Sequence, residues 1–124
     1  MSEPIPDDVR KFISGNIDSV ADLEALLLLR KEPGQRWTTE TVSERLYVDA
    51  VTTADVLTRL AARGLCEHSD NAYRYQPAND EKRLMVDRLA ETYRQYLIPV
   101  TNFIHAKPGR IQHFADAFRL RKDK

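Results

Sequence analysis

The sequence is short of the features that usually announce a chemical activity. It holds one cysteine, Cys66, and four glycines, at positions 15, 34, 64 and 109, none beside another. A single cysteine excludes an internal disulfide, and a cytoplasmic location is the default expectation. Isolated glycines exclude a Gly-rich loop whose backbone amides cradle phosphate. Long apolar runs are also missing. The longest, Ala25–Leu29, falls far below the ~20 residues of a membrane helix, so no membrane span is expected. The opening MSEPIPDDVRK is acidic and lacks the basic, then apolar, plan of a secretory signal. Neither charge sign is in excess, with 19 Lys and Arg against 19 Asp and Glu.

What is present suits one compact unit with a helical extension. The chain has 124 residues, of which 42% are apolar and 31% charged. The charges are unevenly placed. Residues 1–37 carry five Lys and Arg against seven Asp and Glu, and residues 38–78 four against six. Residues 79–104 are balanced at four each, and residues 105–124 hold six cations against two carboxylates. The basic surplus therefore lies in the tail.

Apolar spacing and cap residues give the elements. Residues 7–15 read as a helix with Val9, Phe12 and Ile13 on one side, ended by a left-handed turn at Gly15 and Asn16. Ser19 is an N-cap with Asp22 three residues on, a variant of the capping box, for a helix to about Lys31 whose leucines cover more than one face. Pro33 and Gly34 mark a turn. Trp37 suits a short strand, and Thr38 caps a helix through about Leu46. A second helix runs from Ala50 to about Arg63, where Gly64 supplies the left-handed stop. Residues 65–77 alternate around Ser69–Ala72 as a hairpin does. Asn79 or Asp80 caps a long helical stretch to about Ala106, with a kink or break at Pro99, and residues 110–122 read as a last helix.

A helix-turn-helix followed by a hairpin is a winged helix, so the expected fold class is mainly α with a small β-wing. The division is residues 1–78 as the winged helix-turn-helix and 79–124 as a helical dimerisation or docking extension. Val42, Ser43, Leu46, Val48, Leu57, Leu60, Gly64 and Leu65 occupy the packing positions of such a motif without a gap. On these residues the chain resembles bacterial winged-helix regulators of the broad MarR/ArsR-like kind over roughly Leu23–Pro77. It departs from their pattern at Tyr47, where glycine is common, and at Thr53, where a β-branched apolar residue is common.

The resemblance implies a DNA-binding transcription regulator whose second motif helix enters a major groove. Transferred to this sequence, the base-facing set is Thr52, Thr53, Thr58 and Arg59, with Asp55 between them and Arg74 in the wing near the minor groove. Double-stranded DNA is then the partner, and a homodimer through the C-terminal helices is implied. The apolar stripe Met85, Leu89, Tyr93, Tyr96, Leu97, Val100, Phe103 and Ile104 suits helix-on-helix packing, either with a second copy or with the chain's own first helices. The alternative is an adaptor that uses the same scaffold to bind a protein partner without DNA. That alternative accounts better for an acidic motif, because phosphate affinity rests on Lys and Arg.

An enzyme is not expected, and neither is a cofactor or a metal. His68, His105 and His113 lack ligand spacing, and Cys66 with His68 supplies only two ligands. The carboxylate pairs Asp7–Asp8 and Asp80–Glu81 fall at helix starts, where they favour the dipole.

Overall fold

The computed structural model describes residues 4–106, and its elements follow the caps. Helix α1 spans Asp7–Asn16 and α2 Val20–Lys31. Ser19 Oγ accepts the Asp22 amide at the start of α2. Helix α3, Thr39–Leu46, opens on a capping box in which Thr38 and Thr41 satisfy each other's backbone amides. Helix α4, Ala50–Ala62, is capped by Asp49, whose Oδ2 accepts the Thr52 amide at 3.0 Å. Gly64 follows at φ 75°, where an added Cβ would meet Lys82 Nζ at 3.1 Å and Ala78 Cβ at 3.2 Å.

Strands β1, Cys66–Ser69, and β2, Ala72–Tyr75, pair antiparallel, with Ser69 opposite Ala72. The two residues between them, Asp70 and Asn71, both have positive φ, the geometry that matches a hairpin's right-handed twist. Trp37 adds a one-residue third strand. Its amide and carbonyl exchange hydrogen bonds with Tyr73, each at 2.7 Å.

Helix α2 lies at the centre, packed against α3, α4, β2 and α6 (Leu97–His105), while α1 packs on α5 (Asp80–Gln95). One hydrophobic cluster runs from Ile5 through Leu23, Leu26, Trp37, Leu57 and Leu60 to Leu89, Val100 and Ile104. Residues on both sides of position 78 therefore share a core. The fold is a winged helix-turn-helix with two further helices laid on it.

One local expectation is corrected and another is borne out. Gly15 and Asn16 do not form a left-handed turn. The helix continues through Asn16, whose side-chain amide donates to the Phe12 carbonyl, and Ile17 leaves it in extended geometry at φ −121°. The stretch from residue 80 is two helices, α5 Asp80–Gln95 and α6 Leu97–His105, separated at Tyr96. Pro99 has no amide to give the Gln95 carbonyl, so the ladder fails there, as its position predicts. The break lets α6 turn back and bury Val100 and Ile104. The C-terminal stripe thus serves largely this chain's own core, with Tyr96 and Leu97 left exposed. The last helix and the basic tail lie outside the described residues.

Candidate functional site

The surface a winged helix offers to a partner is the outer face of its second motif helix, together with the turn before it and the wing. On α4 the inward positions are Thr53, Val56, Leu57 and Leu60. The outward stripe, at steps of four, three and four, is Val51, Asp55, Thr58 and Ala62, all exposed.

Each residue of the expected reading set has a definite place. Thr52 and Thr58 are exposed, as required of base-facing residues. Thr53 is not. It is 1% exposed, and its hydroxyl lies 3.4 Å from the Val48 carbonyl inside the helix-turn-helix joint. Arg59 also departs from expectation. Its guanidinium turns back onto α2, where Nη2 meets Asp22 Oδ1 at 2.7 Å and Nε meets Oδ2 at 3.4 Å. Asp22 is fully buried. Its carboxylate also accepts the Asp18 amide at 2.9 Å and the Ser19 hydroxyl at 3.1 Å. This carboxylate raises the Arg59 pKa above its ordinary value. Arg63 joins the same network, donating to Asp18 at 3.2 Å and to the Asn16 carbonyl at 2.8 Å. Arg59 is therefore a structural tie between α2 and α4.

Arg74 is paired across the wing with Glu67 at 2.6 Å. Its neighbours on the sheet, His68 and Tyr73, stack with ring centroids 4.3 Å apart. At the wing tip Arg36 reaches the Ser69 carbonyl at 3.1 Å and Asp70 at 3.8 Å. The last cation of the motif, Arg45, lies over the Trp37 ring at 5.3 Å. Against these committed cations, Glu40, Glu44 and Asp55 are exposed and make no salt bridge among the described residues. Hydrogen bonding from the α4 N-terminus, chiefly from Thr52, holds the Asp49 carboxyl below the usual carboxylate range. The outer face is acidic.

One feature was only half visible in the sequence. Tyr47, which caps the C-terminus of α3, sits at φ 57° and ψ 41° and is 95% exposed. Its place in the turn is legible from the missing glycine, but its full exposure is not. Four residues on, Val51 is 73% exposed. The Asp22–Arg59 pair was missed altogether; the available signal was a carboxylate set among the apolar positions of α2.

Among the described residues no three His, Cys, Asp or Glu side chains converge as metal ligands. Cys66 is buried, and desolvation pushes its thiol up to about 12, so it stays protonated at neutral pH. No helix among the described residues is long and apolar enough to cross a membrane.

No family model and no curated relative matches the chain. Among solved structures, a MarR family protein from Bacillus stearothermophilus is similar at 18% identity, over 94% of this chain and 81% of that one, with a TM-score of 0.48.

Proposed function

We propose that the chain is a winged-helix regulator that acts by binding another protein through the outer face of α3 and α4, and that α4 does not read DNA. One observation carries this reading. Arg59, the sole cation of α4, is drawn into the buried Asp22 carboxylate, which leaves an outer face of Val51, Asp55, Thr58 and Ala62 with no cation on it. DNA affinity grows from neutralised phosphates, and this face has nothing to neutralise them with. A surface bearing carboxylates and exposed apolar side chains fits a protein that brings cations and an apolar pocket.

A second reading, a DNA-binding transcription regulator, is favoured by the exposure of Thr52 and Thr58 on the reading helix. In that case phosphate contacts come from Arg74 and the basic tail. Cross-linked capture separates the two, using the full chain, a Tyr47→Ala/Asp55→Arg variant and a Thr52→Ala/Thr58→Ala variant. Loss of the captured protein in the first variant but not the second supports the protein-binding reading. Equal capture by wild type and the Tyr47→Ala/Asp55→Arg variant sinks it.

A homodimer through α5 and α6 belongs to the same proposal. Tyr96, Leu97 and Ile98 are exposed side by side at the break between these helices, and Leu84 is exposed on α5. Light scattering should give a dimer that Leu97→Glu/Ile98→Glu converts to monomer. A wild-type monomer at tens of micromolar would remove this part of the proposal.

A further inference from the structure

Tyr47 and Val51 together are unexplained by the chain's own packing. A tyrosine in left-handed backbone stores strain that L-residues seldom carry, and here it buries almost none of its ring in return. Val51, on the first turn of α4, is also turned to solvent. Glu44, Asp49 and Asp55 stand exposed in the same stretch, and the cation nearest in sequence, the exposed Arg45, lies over the Trp37 ring. An apolar pair set among carboxylates calls for an occupant that combines apolar side chains with cations.

The chain itself carries such a segment. Residues 107–124 hold Lys107, Arg110, Arg119, Arg121, Lys122 and Lys124 against two carboxylates, with Ile111, Phe114 and Phe118 at steps of three and four. The described residues 4–106 have the opposite balance, 13 Lys and Arg against 16 Asp and Glu. Helix α6, from which the segment departs, packs on α2, and α2 packs on α4. Eighteen residues follow Ala106. Extended, they reach up to about 60 Å, beyond the ~35 Å diameter of a compact chain of this size.

We propose that residues 107–124 dock, within the same chain, on the acid-rimmed apolar patch of Tyr47, Val51, Glu44, Asp49 and Asp55. The segment then covers the surface until a protein partner displaces it. This regulatory consequence rests on the protein-binding reading, whereas the docking itself is tested with neither partner nor DNA.

The direct test is zero-length carbodiimide cross-linking of the full chain at low micromolar concentration, with the linked peptides identified by mass spectrometry. Expected are links from Lys122 or Lys124 to Glu44, Asp49 or Asp55 within one chain. They should be lost in ~1 M salt, where the Debye length is about 3 Å. Links spread over carboxylates elsewhere, or no links from these lysines, overturn the proposal. So do links found only between light and heavy isotope-labelled copies, which make a second copy the occupant. As an independent readout, Arg119→Gln/Arg121→Gln/Lys122→Gln/Lys124→Gln should shift amide resonances of residues 44–58 in the full chain, and unshifted amides there count against docking. Tail docking without any protein partner would leave the contact standing and remove the function assigned to it.

Discussion

At the scale of single residues, Arg59 and Thr53 decide how α4 is used. Sequence spacing places Arg59 toward the outer side of α4, and nothing local to it reveals that Asp22, 37 positions earlier, lies buried beneath it. Removing Arg59 leaves the buried Asp22 carboxylate with Arg63, at 3.9 Å, as its remaining counter-charge, so Arg59→Ala is expected to lower stability by about 3 kcal/mol, the low end for a broken buried pair. The bonds Asp22 keeps to Ser19 and the Asp18 amide limit the loss. Urea unfolding measures it, and an unchanged midpoint would show that the tie is not structural. Thr53 gives the opposite sign. Its partner, the Val48 carbonyl, also accepts the Ser43 hydroxyl, so deleting the threonine hydroxyl orphans no acceptor. Thr53→Val should raise stability by roughly 0.5–1 kcal/mol, since it no longer buries a hydroxyl on a long bond. A lower unfolding midpoint would mean that the 3.4 Å bond matters more than its length suggests.

At the scale of elements, much was legible because the signals are local. Ser19, Thr38, Asp49 and Asn79 each cap the helix that their sequence context indicates. A cap residue needs only its own next three neighbours, all present in the sequence window. Thr38 does this with Thr41 in a full box, so Thr38→Ala should cost about 1 kcal/mol, read from thermal or urea unfolding. A loss below a few tenths would show that packing of Trp37 and Val42 holds α3 unaided. Pro99 likewise announced the break at Tyr96. The sequence could not tell whether the C-terminal stripe would meet a second copy or fold back. That depended on α6 reversing onto α2, which only the three-dimensional path reveals. Gly15 misled for a related reason: a glycine permits a left-handed stop but does not impose one.

At the scale of the whole molecule, the winged helix is readable because its packing residues recur at fixed spacing. Its use is not, because charge accessibility depends on pairs formed between distant segments. Arg63 with Asp18, Arg74 with Glu67 and Arg59 with Asp22 each withdraw a cation that the sequence counts as available. On the proposed reading the face of α4 does not bind DNA. Fluorescence anisotropy with a mixed-sequence duplex pool at low salt tests it most directly. The full chain should be run beside the Arg119→Gln/Arg121→Gln/Lys122→Gln/Lys124→Gln variant, so that any contribution of the tail is removed. The neutralised variant is expected to leave the anisotropy flat across the titration. A rise that falls steeply with added salt in that variant would show phosphate contacts made by the winged helix itself and would contradict the claim.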